Sequence, residues 1–374
     1  MLKKILKDLY ARGPTAQAHE PIVAAQPLAH QQWLDELIGR MFQLMYNVEQ
    51  DNFDSDRYRT EPPNAFFYDR HAAYFKFLLK NAAYFYTARQ LLEDESSSVL
   101  FDQLLLFRIL GHLHVRLPFN TPGNRDQIAI ADGWRVGTEE DVGLLGNLGI
   151  FVAPSEPLPI RVKCWKENIA ATFLQRQYYL DRDGIAVAPR AGDQVLDAGG
   201  CFGDTALAFA AAVGESGHVH TFDPIPKHCG IIRENLGMNP ALAHRISIYE
   251  VGLSAQERLG QGQSGAEQTI NPGANAFDAS ISTTTVDKLV EDGTIPRVDF
   301  IKMDIEGSEL DALQGAERTI REFCPRLALS LYHRPEDFFT IPIWIDQLGC
   351  GYRFFLEHYS IHQEETVLYA TSEH

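Results

Sequence analysis

Short apolar runs alternate with amphipathic helical stretches from about residue 190 to 371, and this pattern limits the possible folds most strongly. It is typical of a parallel sheet with helices on both faces, because each helix returns the chain to the same edge of the sheet. The last two runs are separated only by a short turn, so an antiparallel pair should end the sheet. We therefore predict an α/β fold with a seven-stranded, doubly wound sheet. The predicted strands are 194–197, 218–222, 246–253, 299–304, 327–331, 352–358 and 366–370.

The first third of the chain has a helical pattern, with apolar residues recurring every three or four positions. One predicted helix covers 33–45, a second begins with the apolar residues of 74–79, and a third covers 96–110. Glycines and prolines then interrupt the short apolar runs of residues 117–159, and we interpret this segment as a loop-rich connector. The polar, glycine-containing stretch 255–280 is either a hairpin insert or a mobile lid. The sequence thus predicts a mainly helical N-terminal domain over 1–180 and an α/β domain over 181–374.

The composition argues against several classes of protein. The 374 residues include 33 basic and 50 acidic side chains, and a net charge of −17 would repel the phosphate backbone of nucleic acids. The five cysteines are widely spaced without a CxxC pair, which indicates neither a disulfide framework nor a zinc knuckle. The longest unbroken apolar run, 206–213, is too short to span a membrane, and we find no signal peptide. We expect a cytoplasmic protein, for which a homo-oligomer is one option.

The loop after the first predicted strand is the best candidate for ligand binding, because ligands of open α/β sheets bind at the carboxyl ends of the strands. The loop runs from Asp197 to Asp204 and contains Gly199, Gly200 and Gly203, which would let a ligand approach the backbone closely. The dinucleotide fingerprint GxGxxG is absent, since a cysteine occupies the position of its second glycine.

The charge of this loop distinguishes two classes of ligand. Asp197 and Asp204 would each oppose a phosphate charge by about 1 to 4 kcal/mol at partly shielded distances. S-adenosylmethionine instead carries a sulfonium and an ammonium group, which suit an acidic loop. The loop therefore favours S-adenosylmethionine over NAD. For Asp204, a role as the N-cap of the next helix is an equal alternative to direct contact with the ligand.

An aspartate also ends the second predicted strand. Asp223, 26 residues after Asp197, precedes a proline at the carboxyl edge. Its carboxylate could accept hydrogen bonds from both hydroxyls of an adenosine ribose. We predict that Asp223 binds the nucleoside. The alternative is a surface aspartate that opens a turn.

The densest polar cluster follows the fourth predicted strand and contains Lys302, Asp304, Glu306 and Glu309. Lys302 could contact a substrate, and Asp304 and Glu306 could act in catalysis or hold a cation. The structural alternative pairs Lys302 with a carboxylate and leaves Glu309 to favour a helix N-terminus.

The fifth predicted strand brings Tyr332, His333 and Arg334 to the same edge. Histidine has a pKa near neutrality, which suits a general base that deprotonates a hydroxyl, and Tyr332 or Arg334 could orient a substrate. A packed, structural histidine is the alternative. No HExxH motif, P-loop or GxSxG elbow is present, so we predict no metal. A divalent ion held by Asp304 or Glu306 is a less favoured possibility.

Together these motifs resemble the FkbM family of S-adenosylmethionine-dependent methyltransferases over about residues 190–371. The segment from Lys302 to Glu309 matches the family pattern KxDxEGxE, and Asp223-Pro224 stands where the family usually has Glu-Pro. Residues 84–108 are similar to the N-terminal extension of a subset of the family. In the first loop, Gly200-Cys201 replaces the Ala-Asn that is common in the family.

The resemblance implies a Rossmann-like class I methyltransferase that transfers a methyl group to a hydroxyl of a sugar or small metabolite. We expect the glycine loop and Asp223 to bind the donor, and the backbone from Gly252 to Ser254 to flank its adenine. His333, Asp304 and Glu306 would position and deprotonate the acceptor. An NAD(P)-dependent oxidoreductase and a non-catalytic scaffold with the same fold are the alternatives; the cysteine in the loop gives the scaffold some weight.

Overall fold

The computed structural model describes residues 27–54, 64–260 and 281–373, so most of the stretch 255–280 lies outside the described residues. The first helices are α1 (Pro27–Leu44), α2 (Asn64–Lys80), α3 (Ala82–Leu91) and α4 (Glu95–Leu110). Asp94 caps α4 by accepting a hydrogen bond from the Ser97 N–H at 2.6 Å. Gly111 ends α4 with a φ of 77°, a conformation that favours glycine. The prediction of a helical N-terminal region is confirmed.

The interpretation of residues 117–159 as a loop-rich connector is wrong. They contain α5 (Pro122–Asp132), β1 (Arg135–Asp141) and β2 (Asn147–Ala153), and β3 (Ile160–Cys164) completes an antiparallel sheet. Gly143 and Gly146 have positive φ and turn the chain between β1 and β2, so residues that indicated a loop form a hairpin connection. β1 is exposed along its whole length. It therefore lacks the apolar alternation by which a strand is recognised.

The predicted seven-stranded sheet is confirmed. Its strands are β6 (Gln194–Ala198), β7 (His218–Phe222), β8 (Ile246–Tyr249), β11 (Phe300–Met303), β12 (Arg326–Ser330), β13 (Arg353–His358) and β14 (Thr366–Thr371). Their order across the sheet is β13-β14-β12-β11-β6-β7-β8, and β14 runs antiparallel to both neighbours. Because the winding changes direction between β6 and β11, the loops that follow these two strands meet at the carboxyl edge.

Shorter elements complete the described chain. The remaining strands are β4 (Leu180–Arg182), β5 (Ile185–Val187), β9 (Gly252–Leu253) and β10 (Thr283–Thr284). The remaining helices are α6 (Lys166–Ile169), which continues as a π-helical turn over 170–175, α7 (Asp204–Val213), α8 (Pro226–Met238), α9 (Pro240–Ala243), α10 (Val286–Glu291), α11 (Glu309–Gln314), α12 (Glu317–Phe323) and α13 (Asp337–Asp346).

Apolar side chains cover both faces of the large sheet. On one face, the N-terminal helices join the core of the sheet, and Phe85 packs edge-on against Phe339 at 4.9 Å between ring centroids. On the other face, α7 and the three-stranded sheet share a second core, in which Phe209 packs on Phe300 at 5.7 Å. The domain division near residue 180 stays a prediction. No helix within the described ranges has the length and hydropathy that crossing a bilayer requires.

Candidate active site

The glycine loop between β6 and α7 is shaped by contacts within the protein. Gly199 has a φ of +83°, and a Cβ there would lie 1.9 Å from the carbonyl oxygen of Asp304. At Gly200, a Cβ would lie 2.3 Å from the hydroxyl of Thr221, and Gly203 also has a positive φ. The sequence analysis attributed these glycines to the approach of a ligand. The structure shows that the packing of the loop itself also requires them.

A buried ion pair lies beneath this loop. The Nζ of Lys302 is 3.2 Å from Oδ1 of Asp197, and both side chains are buried. The same Nζ donates hydrogen bonds to the carbonyls of Ala198 at 3.1 Å and Gly199 at 2.7 Å. Burial by itself would lower the pKa of Lys302, but Asp197, Asp304 and Asp204 together outweigh it and the pKa is raised. Lys302 therefore holds the glycine loop in place, which agrees with the alternative that it pairs with a carboxylate. Because its side chain points to Asp197, the predicted contact of Lys302 with the substrate has no support.

Asp204 lies at the start of α7 and faces the N-terminal region. Its Oδ2 accepts a hydrogen bond from the hydroxyl of Thr172 at 2.5 Å, and its Oδ1 accepts one from Nδ2 of Asn168 at 3.3 Å. Gly203 occupies the N-cap position, so the N-cap interpretation of Asp204 is wrong. Burial raises the pKa of Asp204 to about 6. Asp204 thus connects the π-helical turn to the glycine loop, and direct contact with a donor stays a prediction.

The buried Asp204 predicts a pH-dependent stability. The pKa of Asp204 in the folded protein, about 6, lies above its ordinary value of 3.8. The preference of the folded state for the neutral carboxyl group therefore adds to the free energy of unfolding below pH 3.8, and this contribution is lost as the pH rises through 6. The loss amounts to up to about 3 kcal/mol. We expect Asp204→Asn to raise the free energy of unfolding by about 1 to 2 kcal/mol at pH 8 and hardly at all at pH 4. Urea unfolding at both pH values measures this difference.

Asp126→Asn, at an exposed position of α5, controls for the loss of one negative charge. It should leave the free energy of unfolding nearly unchanged at both pH values. An equal effect of Asp204→Asn at pH 4 and pH 8 would contradict the burial argument, because a neutral carboxyl group and an amide differ little in their desolvation cost.

Asp223, at the end of β7, points towards the glycine loop. Its Oδ2 accepts a hydrogen bond from the Cys201 N–H at 2.9 Å and lies 3.0 Å from Nδ1 of His228. Its Oδ1 accepts a hydrogen bond from the Ile225 N–H at 2.9 Å. This bond forms the turn that the sequence offered as the alternative to nucleoside binding. Asp223 is nevertheless buried and is not a surface residue. A carboxylate offers about four acceptor positions, so Asp223 has the capacity to hold the loop and to accept from a ribose hydroxyl.

Cys201 has a φ of 46°, in the left-handed region that asparagine adopts more readily than most residues. The contact between Cys201 and Asp223 is made by a backbone N–H and does not depend on the side chain. The replacement of asparagine by cysteine therefore preserves the connection between the glycine loop and Asp223.

The segment predicted to flank an adenine lies in and just after β9. The N–H of Gly252 donates to the carbonyl of Ser282, and the N–H of Ser254 donates to the carbonyl of Thr284, both at 3.0 Å. These backbone donors are paired within the protein. A role of Gly252 and Ser254 in binding adenine stays a prediction.

Asp304, directly after β11, is the centre of a second polar group. Its Oδ2 accepts a hydrogen bond from the hydroxyl of Tyr178 at 2.8 Å, and its Oδ1 accepts one from the hydroxyl of Tyr332 at 3.0 Å. Burial opposes the ionisation of Asp304, but the cationic groups of His333 and Lys302 outweigh it and lower its pKa. Asp304 is therefore a carboxylate held in one orientation by two phenols.

His333 lies among three carboxylates. Its Nδ1 is 2.9 Å from Oε1 of Glu309, and its Nε2 is 3.4 Å from Oδ1 of Asp304 and 3.7 Å from Oε2 of Glu306. Burial alone would lower the pKa of His333, but these carboxylates, Glu309 above all, raise it to about 10. A pKa of about 10 favours the imidazolium at neutral pH and argues against the general base that the sequence predicted, so a catalytic role of His333 stays a prediction.

Glu306 is the most accessible carboxylate of this group, with 42% of its side chain exposed against 24% for Asp304 and 0% for Glu309. Burial nevertheless raises its pKa, which makes Glu306 a better proton acceptor than an ordinary glutamate. The side chain of Arg334 packs over the next residue, since a Cβ at Gly307 would lie 2.9 Å from its Nε. Whether Arg334 orients a substrate stays a prediction.

Tyr178 is the residue that the sequence analysis missed. It precedes β4, in the region assigned to the N-terminal domain, yet it bonds to Asp304 and places its ring 5.2 Å from Nζ of Lys302. The only signal in the sequence is a pair of tyrosines at 178 and 179. Such pairs are common in protein cores, so this one did not indicate a site.

Comparisons with known proteins agree with this geometry. Residues 197–354 match the family model described as Methyltransferase FkbM domain. The structure is similar to that of a methyltransferase FkbM from Methylobacillus flagellatus KT, with a TM-score of 0.51 and 20% identity, over 79% of this chain and 60% of that one. None of the curated proteins matches the chain.

Two other solved structures are similar at a lower level. Aeropyrum pernix fibrillarin with bound S-adenosyl-L-methionine gives a TM-score of 0.33 and 11% identity, over 63% of this chain and 99% of that one. The O-methyltransferase from Bacillus cereus in complex with SAH gives a TM-score of 0.31 and 14% identity, over 54% and 77%.

The strand order and the matched region define a Rossmann-like, S-adenosylmethionine-dependent methyltransferase domain. Within that class, the segment that matches the Methyltransferase FkbM domain model, residues 197–354, includes the glycine loop, Asp223 and the cluster around Asp304. The cofactor predicted from the charge of the loop, S-adenosylmethionine, is the one that this family implies. The chain spans 60% of the length of the Methylobacillus flagellatus protein.

Proposed function

We propose that the protein transfers a methyl group from S-adenosylmethionine to a hydroxyl of a sugar or another small metabolite. One observation carries the proposal: the backbone of Gly199 is in direct contact with the backbone of Asp304. The loop that would hold the donor and the cluster that would receive the acceptor are therefore adjacent. The five free cysteines are consistent with a cytoplasmic location.

The residues around the loop fit the donor in shape and charge. Bound S-adenosylmethionine supplies a methyl carbon that its sulfonium already activates. Asp223 would accept hydrogen bonds from the ribose, while the buried pair of Lys302 and Asp197 would keep the loop in place. The carboxylate of Asp304 adds negative charge on the side where a sulfonium would lie. A cationic nucleoside therefore suits this edge better than a pyrophosphate does.

In this proposal Glu306 removes the proton of the acceptor hydroxyl. Methyl transfer to a hydroxyl releases one proton, and Glu306 is exposed enough to receive it. His333 would act as a positioning residue, since its positive charge holds the carboxylates of Asp304 and Glu306 close together. Tyr178 and Tyr332 would fix the orientation of Asp304. Orientation of the acceptor then accounts for most of the remaining catalysis.

The N-terminal region would contribute to acceptor recognition. Its segment 166–178 reaches the carboxyl edge through the contact of Thr172 with Asp204 and of Tyr178 with Asp304. We propose that residues 1–180 form the domain that selects the acceptor, and that 181–374 bind the donor.

Asp223→Ala should weaken the binding of S-adenosylhomocysteine by about 1 to 3 kcal/mol, because charge-assisted hydrogen bonds to the ribose are lost. Asp223→Asn retains one acceptor oxygen and should lose less affinity. Isothermal titration calorimetry of both variants measures the effect. An affinity equal to that of the wild type in Asp223→Ala would remove Asp223 from the donor site.

Methyl-labelled S-adenosylmethionine tests the proposed reaction. The protein is incubated with a panel of hydroxylated sugars and metabolites, each paired with an analogue whose hydroxyl groups are blocked. We expect label on oxygen and none in the blocked analogues. Label on nitrogen or carbon would contradict O-methylation. Donor binding without transfer to any acceptor would favour the scaffold alternative.

A further inference from the structure

We infer that Asp304, Glu309 and His333 form a binding site for a divalent transition-metal ion. The binding of the ion follows from the geometry of these three residues alone. Its role, to orient the acceptor hydroxyl, rests on the proposed function. The sequence alone predicts no metal and, as a less favoured alternative, a cation held by Asp304 or Glu306; it does not indicate Asp304, Glu309 and His333 as a set.

The spacing of the donor atoms supports the site. One ligand atom from each of Asp304, Glu309 and His333 lies within 4.8 Å of the others. Two ligands at about 2.1 Å from one ion are roughly 3 to 4 Å apart, so a small closing movement of the side chains suffices. The ligands come from three different elements: the end of β11, the first residue of α11 and the loop after β12. The sheet therefore holds their backbones in place.

The hydrogen bonding of these side chains is incomplete. Oε2 of Glu309 is buried and has no hydrogen-bond partner in the described part of the chain, while its Oε1 accepts from the Ile305 N–H at 2.8 Å. The His333 side chain is 92% buried, since 8% of it is exposed. Its Nδ1 is 2.9 Å from Glu309, but the ring is not aligned for a hydrogen bond, and neither ring nitrogen forms a hydrogen bond among the described residues despite the nearby carboxylates. Buried polar atoms of this kind call for a ligand.

The charge of the cluster also favours a cation. Three carboxylates, those of Asp304, Glu306 and Glu309, approach one imidazole. A divalent ion between Asp304 and Glu309 would be attracted by all three carboxylates, and more strongly than in water because the position is largely buried.

The mixed ligand set indicates which ions fit. One imidazole nitrogen and two carboxylate oxygens suit Mn²⁺ or Zn²⁺ better than Mg²⁺ or Ca²⁺, which prefer oxygen ligands alone. Three protein ligands leave coordination positions open, as in catalytic metal sites. Glu306, at 3.7 Å from His333 Nε2, lies beside the site and keeps its proposed role as proton acceptor.

Titration of the full, chelator-treated chain with MnCl₂, followed by electron paramagnetic resonance, tests this inference without donor or acceptor. We expect one bound Mn²⁺ per chain, with coupling to the ¹⁴N of one histidine. Glu309→Gln and His333→Gln should each weaken binding by about tenfold or more. Glu336→Gln, a neighbouring carboxylate outside the three, should bind as the wild type does. ZnCl₂ should displace the Mn²⁺, and MgCl₂ at the same concentration should not.

The absence of Mn²⁺ and Zn²⁺ binding at millimolar concentration would overturn the inference, and so would binding without ¹⁴N coupling. If circular dichroism shows that a variant does not fold, the ¹⁴N coupling in the wild-type protein decides whether a histidine ligates the ion. Titration with S-adenosylhomocysteine in the presence of chelator reports separately on the donor site. These experiments therefore distinguish failure of the metal-site inference from failure of the proposed methyltransferase function.

Discussion

Gly199→Ala should abolish donor binding and lower the free energy of unfolding by more than about 3 kcal/mol. A Cβ at this position would lie 1.9 Å from the carbonyl oxygen of Asp304, and the φ of +83° is unfavourable for alanine. The obstructing atom is backbone, so relief requires the loop after β11 to separate from the glycine loop. Urea unfolding and calorimetry with S-adenosylhomocysteine measure the two effects.

Gly214→Ala is the matched control for this substitution. Gly214 ends α7 with a φ of +66°, but a Cβ there would meet nothing within 4 Å. It should cost only about 1 to 2 kcal/mol of stability and leave donor binding intact. Equal losses in the two variants would show that positive φ alone, and not contact with the Asp304 loop, determines the effect at Gly199.

His333→Ala should lower turnover by about 100-fold or more while it changes donor affinity less than about threefold. Without a bound ion, the substitution removes the imidazolium that lies between Asp304 and Glu306; with an ion bound, it removes one ligand of the inferred metal site. His333 makes none of its described contacts with the glycine loop or with Asp223. Steady-state kinetics at saturating donor, together with calorimetry, separate the two quantities.

His228→Ala provides the complementary variant. His228 Nδ1 lies 3.0 Å from Asp223 on the donor side, so its removal should weaken donor affinity and spare turnover once the donor saturates the enzyme. If His333→Ala reduced affinity and turnover equally, His333 would have a structural role. Its circular dichroism spectrum and melting temperature show whether the variant has kept its fold.

The α/β region could be predicted well from the sequence because its strands are buried on both faces. Such strands appear as short apolar runs bounded by turn residues, and the bounds of β7 agree with those predicted. The glycine loop and Asp223 were also recognisable, since they follow strands at the edge where ligands bind. Local sequence thus suffices to recognise the residues of the proposed donor site.

The acceptor side depends on contacts between distant segments. Tyr178 reaches Asp304 across 126 positions of the chain, and no local pattern records that contact. Carboxylates that follow a different strand raise the pKa of His333 to about 10, whereas the sequence alone predicted a general base with a near-neutral pKa. The exposed strand β1 carries no apolar signal and was missed for a different reason.

Calorimetric titration of the wild-type protein with S-adenosylmethionine, S-adenosylhomocysteine and NAD tests the central claim most directly. The account predicts one site per chain for each of the first two ligands and no heat of binding for NAD. Binding of NAD alone, or of none of the three, would contradict a donor site formed by the glycine loop and Asp223.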